Sequence, residues 1–422
     1  MSDALAARRS AVYLLDQVMG EGRLLSELIG SGALERLALD DRARAQRLAT
    51  ETLRGLERAD RLLAKHLRKK PPLTVQNVLR LGTVELCAGG AAHGVVNALV
   101  SIVSQHRRYG HLKGLTNAVL RKIAADGQPA WDSLRVPRLP KWLRGPLVEA
   151  WGASEVAAME AAQFAGAPLD LSARTEPAQV ADAVGGSLVP TGSVRLTGPG
   201  QISALPGFSE GQWWVQDAAA AIPVQVLAPL EGETVLDLCA APGGKTLQAA
   251  AAGARVTAVD ISGTRMKKVA ENLGRTGLAA ELNVADAFDV AGQYDAIILD
   301  APCSATGTIR RHPDLPFAKD GSDFGVLMDL QARLIDHAWS LLKPGGRMVF
   351  CTCSLLPDEG EVQVEEALKR HPDMSVDSKA LEREGIKAEW ISAEGGLRLR
   401  PDYWPEAGGM DGFYICLLRK AA

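Results

Sequence analysis

Two cysteines in similar surroundings are the residues of this sequence best suited to covalent chemistry. Cys303 lies within LDAPCSATGTIRRHPD, and Cys353 lies within CTCSLLPDEGE. Each follows an apolar run typical of a strand and precedes a helical segment, so amide dipoles and nearby cations can lower the pKa of its thiol. A thiolate in such a position is a nucleophile that can add to an electron-poor carbon.

The C6 atom of cytosine is such a carbon. Its neighbour C5 is a weak nucleophile, but a thiolate added at C6 makes C5 enamine-like, so that C5 can take a methyl group from a sulfonium. Loss of the C5 proton and of the thiol then restores the aromatic ring. The reaction needs a cysteine, a dry pocket and a carboxylate for N3 and the amino group, and Asp300, three residues before Cys303, is a suitable carboxylate.

A glycine turn follows an apolar run in LDLCAAPGGKT, residues 236–246. A glycine pair after a strand lets the backbone approach a ligand and turn into a helix, whereas the absence of a full GxGxxG or Walker spacing disfavours a phosphate loop. Asp260, at the end of the next predicted strand, can accept hydrogen bonds from both ribose hydroxyls of an adenosine. Asp286 can accept one from the adenine amino group. Together these residues favour an adenosyl cofactor; the alternative is that both carboxylates only cap helices.

Alternating strand and helix patterns from residue 222 onward would position these side chains. Apolar runs predict strands at 234–239, Arg255–Asp260, Tyr294–Asp300 and 347–351, with a helix at 327–342. Continuous apolar strands separated by helices are typical of a parallel sheet covered on both faces, which binds ligands at the carboxyl ends of its strands. We therefore expect an α/β, Rossmann-like catalytic domain over residues 222–422.

The upstream sequence predicts a multidomain chain. Apolar residues at three- and four-residue spacing predict an all-α domain over residues 1–125. The stretch 126–146 is rich in proline and polar residues and is typical of a linker. Short alternating segments predict a small α+β subdomain over residues 147–221.

Composition narrows the class of protein. The chain has 422 residues, 47% hydrophobic and 23% charged, with no apolar run of about 18 residues, so no membrane-spanning helix is expected. Six cysteines without repeated spacing argue against a disulfide framework and favour a cytoplasmic setting. The histidines and cysteines show no metal-site spacing, and no self-complementary surface is evident, so a metal-free monomer is expected.

The net charge of −3 conceals an asymmetry. Residues 1–125 carry 20 Lys and Arg against 11 Asp and Glu, and the rest of the chain is acidic. A basic end on an acidic body suggests contact with a polyanion such as RNA. The best basic patches are KHLRKK, with Lys69 and Lys70, and HRRYGH, with Arg107 and Arg108; the alternative is that both are solvated helix faces.

The motifs together resemble the RNA cytosine-5 methyltransferases of the NOL/NOP/Sun family. The matching elements are CAAPGGKT, Asp260-Ile261 with Arg265, LDAPCSATGTIRRHPD, TCS followed by Glu359, GQWWVQDAAA and the closing DGFYICLL. Residues 93–123 also resemble the NusB-type helical domain that precedes the catalytic part in a bacterial small-subunit rRNA member of that family. The resemblance thus covers nearly the whole chain.

The resemblance implies roles that spacing alone leaves open. It implies that Cys353 is the nucleophile and that Cys303 helps to release the product, whereas in DNA cytosine-5 methyltransferases the Pro-Cys cysteine is the nucleophile. It implies S-adenosylmethionine as cofactor and RNA as partner, with Arg310, Arg311 and His312 facing the RNA. The cofactor contacts carried over are Cys239, Ala240, Ala241, Pro242, Gly243, Gly244, Lys245, Asp260, Arg265, Asp286 and Asp300.

The expected reaction is methylation of C5 of a cytosine in small-subunit (16S) rRNA through a cysteine–C6 adduct. Two alternatives remain: methylation of tRNA or another RNA, and a non-catalytic NusB-like protein that binds RNA in antitermination. Cys351, two residues before Cys353, departs from the family pattern. Because no further ligand pair lies nearby, we interpret it as a buried strand residue and not as part of a metal site.

Overall fold

The fold is given by a computed structural model that describes residues 4–198 and 200–422. The chain divides into two compact units. The first contains the residues up to Ala165 together with Ile309–Asp320, and the second contains Gly166–Thr308 and Gly321–Ala422. A segment from the C-terminal half of the sequence therefore belongs to the N-terminal unit.

The first unit is helical, as the spacing of apolar residues predicts. On its first helix, Ala11, Leu14, Leu15 and Val18 are fully buried, so this helix turns one apolar stripe toward a core shared with the other helices. In chain order the helices are α1 (Ala4–Glu21), α2 (Leu25–Gly30), α3 (Leu39–Arg54), α4 (Leu56–Ala64), α5 (Leu73–Cys87), α6 (Ala92–Ser104), α7 (Lys113–Asp132), α8 (Lys141–Trp151) and α9 (Ala153–Ala165).

The predicted linker over 126–146 is wrong over most of its length. Helix α7 continues to Asp132 and α8 begins at Lys141, so only residues 133–140 lack helical structure. The physical reason is tertiary packing, which overrides local propensity. Trp131 packs against Gly55 and receives the guanidinium of Arg58 5.7 Å from its ring centroid, so the last turn of α7 stays helical despite Pro129.

A small antiparallel sheet begins the second unit. Its elements are β1 (Leu169–Ala173), α10 (Pro177–Val184), β2 (Ser187–Leu188), β3 (Val194–Leu196) and β4 (Trp213–Val215), with strand order β2-β3-β1-β4. A buried ion pair of Asp170 and Arg195, 2.7 Å apart, joins β1 to β3. The elements are α+β, as predicted, but α8 and α9 lie in the first unit, so the predicted bounds 147–221 differ from those of the structure.

The remainder of the second unit is a large sheet with helices. Its strands are β5 (Thr234–Leu238), β6 (Arg255–Asp260), β7 (Glu281–Val284), β8 (Tyr294–Asp300), β9 (Leu342–Thr352), β10 (Met374–Val376), β11 (Leu397–Leu399) and β12 (Phe413–Lys420). Its helices are α11 (Ala218–Leu227), α12 (Gly244–Ala251), α13 (Gly263–Thr276), α15 (Phe324–Ser340) and α16 (Glu361–Arg370). Neighbouring side chains along a strand belong to different apolar clusters. On β5, for example, Val235 belongs to one cluster and Leu236 to another.

The strand order of the large sheet, β10-β12-β9-β8-β5-β6-β7, explains where a site can form. Strands β5 to β9 pair in parallel, as predicted, whereas β10, β11 and β12 pair antiparallel at one side, so the sheet is mixed. The chain runs from β5 toward β6 and β7 and later returns to β8 and β9 on the other flank. The turn after β5 therefore lies at the switch in strand order, where α/β sheets bind ligands.

Hydrogen bonds anchor the segment Ile309–Asp320 in the first unit. The segment includes the short helix α14 (Leu315–Ala318). The Asp314 Oδ2 accepts from the backbone N–H of Leu25 at 2.8 Å, Arg54 donates to the carbonyl of Arg310 at 2.9 Å, and Trp142 donates to the carbonyl of Pro316 at 3.2 Å. The chain thus enters the first unit directly after the loop that carries Cys303 and returns to the second unit at Gly321.

Candidate active site

The turn after β5 has the conformation that its sequence predicts. Cys239 and Gly243 both have positive φ, 61° and 98°, which bends the chain from β5 into α12. A Cβ on Gly243 would lie 2.9 Å from a methyl group of Val269, so glycine is required both by conformation and by space. Ala240, Ala241, Pro242 and Gly244 complete this turn.

A cavity of about 170 Å³ opens beside the turn. Four of the predicted cofactor residues line it: Cys239, Asp260, Arg265 and Asp286. Apolar side chains form the rest of the lining. An apolar slot with carboxylates at its edge suits an adenosyl group, because the base needs apolar faces and the ribose hydroxyls need acceptors.

The two cavity carboxylates also accept hydrogen bonds from local backbone N–H groups, and their contact with an adenosyl group stays a prediction. Asp260 is 4% exposed and accepts from the N–H groups of Ala241 (3.0 Å) and Ser262 (2.9 Å). Asp286 is exposed and accepts from the N–H of Phe288 at 3.0 Å. Each ionised carboxylate offers about four acceptor sites, so these bonds leave capacity for a ligand.

Apolar residues of the cavity are those that sequence reasoning missed. They are Val259, Ile261, Ala285, Ala287, Phe288, Pro302, Leu330 and Leu334. Ile261 belongs to the Asp260-Ile261 element singled out in the sequence, and its side chain is 74% exposed in the structure. Leu330 and Leu334 lie one helical turn apart on α15, a spacing that also describes an ordinary core helix, so the sequence could not distinguish them.

Lys245 and Asp300 form an ion pair at the carboxyl edge of the sheet. The Nζ of Lys245 lies 2.7 Å from Asp300 Oδ2, and Cys351 Sγ lies 3.6 Å from Asp300 Oδ1. Burial opposes the charge on Lys245, but the carboxylate of Asp300 overcomes it and raises the pKa of the ammonium. The Asp300 side chain remains 32% exposed and so accessible to a substrate. Cys351 is fully buried in β9, as predicted.

The two cysteines meet at this edge. Strands β8 and β9 are parallel neighbours, with Asp300 opposite Cys351, so the loops that follow them lie side by side. Cys303 Sγ and Cys353 Sγ are 3.5 Å apart, within reach of a thiol–thiolate hydrogen bond. Both thiols are half-buried and free of disulfides.

The expected lowering of the cysteine pKa is wrong for Cys303. The hydrogen bond with Cys353 and burial raise the pKa of the Cys303 thiol well above its usual range. A thiol with a raised pKa keeps its proton at neutral pH, and the geometry of the pair allows either sulfur to donate to the other.

Packing between glycines fixes the two cysteine loops. The N–H of Gly307 donates to the carbonyl of Cys353 at 2.9 Å, and the N–H of Gly412 donates to the carbonyl of Gly307 at 2.9 Å. A Cβ on Gly307 would lie 2.0 Å from the Gly412 carbonyl oxygen, so no side chain fits there. Arg398, buried and paired with Glu361, donates to the carbonyl of Ser354, so the TCS turn is held from its other side as well.

The predicted RNA-facing residues are only partly accessible. Arg310 is 0% exposed, so the prediction that it faces RNA is wrong in this structure; its carbonyl is bound by Arg54 inside the helical unit. Arg311 is half-buried and His312 is exposed. The side chains of the two predicted basic patches are exposed: Lys69, Lys70, Arg107 and Arg108.

Within residues 4–198 and 200–422, no helix is long and apolar enough to cross a membrane. The same part of the chain contains no group of three or more His, Cys, Asp or Glu side chains that could hold a metal ion.

Two protein families match the sequence of this chain. The family described as 16S rRNA methyltransferase RsmB/F matches residues 224–419, and the NusB family matches residues 5–125. The solved structure of PH0851 superimposes with a TM-score of 0.76 over all of both chains at 21% identity, which shows a shared fold. The predicted NusB-like helical domain and the Rossmann-like methyltransferase fold are therefore confirmed.

Relatives match the chain over most of its length. The Ribosomal RNA small subunit methyltransferase B of Cronobacter sakazakii is 35% identical over 413 residues, covering 89% of this chain and 93% of the relative. The protein of the same name from Pseudomonas putida is 34% identical over 453 residues, covering 100% and 99%. With this cavity, this cysteine pair and these relatives, the chain belongs to the S-adenosylmethionine-dependent methyltransferases of the ribosomal RNA small subunit methyltransferase B family.

Proposed function

We propose that this protein methylates C5 of a cytosine in small-subunit rRNA through a covalent adduct between Cys353 and C6. The observation that carries the proposal is the pair of thiols 3.5 Å apart, at the sheet edge that also carries the Lys245–Asp300 ion pair and the cavity beside the glycine turn. The rRNA substrate is taken from the names of the relatives. The intact cysteine pair argues against a non-catalytic RNA-binding protein.

Cys353 begins the reaction as a thiolate. Its Sγ forms a bond to C6, and the electron pair of the C5–C6 double bond moves into the ring and toward N3. Asp300 accepts a hydrogen bond from the cytosine amino group, and the Lys245 ammonium, 2.7 Å from Asp300, offsets the negative charge that develops on the ring. This environment makes C5 the nucleophile for methyl transfer.

S-adenosylmethionine, when bound, supplies the methyl group as an electrophile on a sulfonium. Asp260 would hold the ribose and Asp286 the adenine amino group, with Ile261, Phe288 and Leu330 against the base. These apolar side chains exclude water from the region of transfer, which strengthens the electrostatic effect of Lys245.

Cys303 acts in the release of the product. The C5 proton passes to a water molecule, the C5–C6 double bond re-forms, and the Cys353 Sγ–C6 bond breaks with its electron pair on sulfur. The Cys303 thiol, which keeps its proton, donates a hydrogen bond to the departing thiolate across the 3.5 Å gap. Without this donor, the Cys353 Sγ–C6 bond breaks slowly and the methylated RNA is released slowly.

RNA docking is assigned to the exposed cations of the helical unit. Lys69, Lys70, Arg107 and Arg108 are exposed and suit the phosphate backbone, and His312 is exposed on the segment anchored there. The target base must leave its stack to reach Cys353.

The experiment that tests the proposed function is nucleoside mass spectrometry of small-subunit rRNA after incubation with the protein and S-adenosylmethionine. We expect 5-methylcytidine at one position with the unaltered protein and none with Cys353→Ala. A methyl group on a base other than cytosine, or on a ribose, would contradict the proposal, as would an undiminished yield with Cys353→Ala.

A further inference from the structure

Glu359 is a fully buried carboxylate that faces the loop of Cys303. It is 0% exposed. Its Oε1 accepts from the backbone N–H of Ser304 at 2.9 Å and from Gln331 Nε2 at 3.1 Å, and its Oε2 accepts from the Ser304 hydroxyl. Ser304 directly follows Cys303, so this carboxylate fixes the backbone from which the Cys303 thiol projects.

The same residue is tied to the loop of Cys353. Its backbone carbonyl accepts from the hydroxyl of Thr352 at 2.8 Å, and Thr352 directly precedes Cys353. Gln331, which donates to the Glu359 carboxylate, also lies within hydrogen-bonding distance of the Pro302 carbonyl, 2.9 Å from its Nε2. Glu359 therefore connects the two cysteine loops. Its side chain binds Ser304, which follows Cys303, and its backbone carbonyl binds Thr352, which precedes Cys353.

The charge on Glu359 is unusual for a purely structural residue. Its partners in the described residues are neutral N–H and O–H donors, and no Lys or Arg there forms an ion pair with it. Burial of a carboxylate without a cation lowers stability, whereas an uncharged side chain would avoid that penalty. A buried carboxylate without a paired cation, placed beside reactive groups, is typical of a functional site.

The charge acts on Cys303. The pKa of the Cys303 thiol is raised first by its hydrogen bond with Cys353, then by burial, and also by the negative charges of Cys353 and Glu359. A thiol held in its protonated form is the state that can donate to a departing thiolate. The geometry and the charge of Glu359 therefore serve the same step.

We propose that Glu359 is a positioning residue for product release, which holds the Cys303 thiol in line with Cys353 Sγ. This inference rests on the proposed function, because it concerns the resolution of the Cys353–C6 adduct. It adds a residue that, among the described residues, forms no hydrogen bond to either cysteine sulfur and acts through the two loops that it holds, at Ser304 and at Thr352.

The test compares formation and resolution of the protein–RNA adduct in Glu359→Gln. Full-length protein is mixed with S-adenosylmethionine and unmodified small-subunit rRNA, and samples are resolved by denaturing electrophoresis over time. We expect the variant to transfer one methyl group per protein at close to the normal rate but to release the product roughly tenfold more slowly or worse. The adduct then accumulates, as we also expect in Cys303→Ala.

Two further variants make the outcome decisive. Ser304→Ala removes the hydroxyl that donates to Glu359 and that also lies within hydrogen-bonding distance of the Thr306 and Ser354 hydroxyls. It should slow release in the same direction, which keeps the inference testable if Glu359→Gln does not fold. Asp170→Asn, which alters a buried carboxylate in the small sheet, should leave the ratio of transfer to release unchanged. A general loss of packing would lower both steps together.

The inference is overturned if Glu359→Gln and Ser304→Ala both release product normally, or if they lose transfer and release in equal proportion, while Cys303→Ala accumulates the adduct. If Cys303→Ala itself accumulates no adduct, the release scheme of the proposed function is wrong and the inference falls with it. The two failures are thus distinguished by the Cys303→Ala sample.

Discussion

Individual side chains at the sheet edge differ in which protonation state their surroundings favour. Burial raises the pKa of Cys239 to about 12 and that of Asp237 to about 7, whereas Asp300 and the other nearby carboxylates raise the pKa of the Lys245 ammonium. Cys303 keeps its proton as well. The edge therefore favours the protonated forms of two thiols, Cys239 and Cys303, beside an ammonium that keeps its charge.

Asp237 leads to a prediction on stability. Its Oδ2 accepts from Thr246, and its folded pKa of about 7 exceeds its unfolded value of 3.8. The folded state thus binds the proton more tightly, so this group contributes stability that is present below about pH 4 and is lost as the pH rises through 7. The Asp237→Asn variant has no ionisable group at this position and so does not lose this stability. The difference in free energy of unfolding, variant minus unaltered protein, should therefore increase by roughly 2–4 kcal/mol between pH 4 and pH 8.

Urea denaturation at the two pH values measures this difference. The neighbouring Asp260 and Asp300 are titratable too, but they are present in both proteins and largely cancel in the comparison. A difference that stays constant or falls with pH would show that Asp237 is ionised throughout the folded state.

At the scale of elements, the anchoring of Ile309–Asp320 can be tested through Asp314. Its carboxylate accepts from the N–H of Leu25, the first residue of α2, which has no partner within its helix. Asp314→Ala should lower the free energy of unfolding by about 1–3 kcal/mol because a buried donor loses its acceptor. Denaturant titration checks this, with Asp126→Ala on the exposed face of α7 as the control. Equal stability of the two variants would refute the anchoring role.

Elements with local determinants were predictable from sequence. The apolar runs of β6 and β8 and the glycine turn after β5 each carry their own pattern, and the structure has strands at Arg255–Asp260 and Tyr294–Asp300 as predicted. The end of α7 was mispredicted because Trp131 finds its packing partners, Gly55 and Arg58, far away in sequence. Local propensity contains no information about such partners.

In the candidate site, too, some features were predictable from local sequence and others depended on residues that are distant in sequence. Asp260, Asp286 and the two cysteines follow strands, so the rule that parallel strands end at one edge was enough to bring them together. The burial of Arg310 was not predictable, because its motif leaves one compact unit for the other directly after Thr308. The neutral donors around Glu359 come from separate segments, which no spacing in the sequence relates.

For the molecule as a whole, charge is unevenly distributed, and RNA affinity should follow that distribution. A double substitution Lys69→Ala/Lys70→Ala and a second, Arg107→Ala/Arg108→Ala, should each weaken rRNA binding and reduce the slope of log K against log salt, by about 0.7–0.9 for each phosphate that is no longer neutralised. Filter binding over a salt series measures the slope. Lys369→Ala, on the exposed face of α16, is the control and should change nothing. Unchanged slopes in both double variants would place the RNA elsewhere.

The covalent role of Cys353 is tested most directly with RNA in which cytidine is replaced by 5-fluorocytidine. Fluorine at C5 cannot leave as a proton does, so the ring cannot regain its double bond and the methylated adduct stays attached to the protein. After nuclease and protease digestion, mass spectrometry of the cross-linked peptide should place the methylated fluorocytidine on Cys353. Attachment to Cys303, or an enzyme that methylates unmodified RNA but forms no adduct with the fluorinated RNA, would contradict the account.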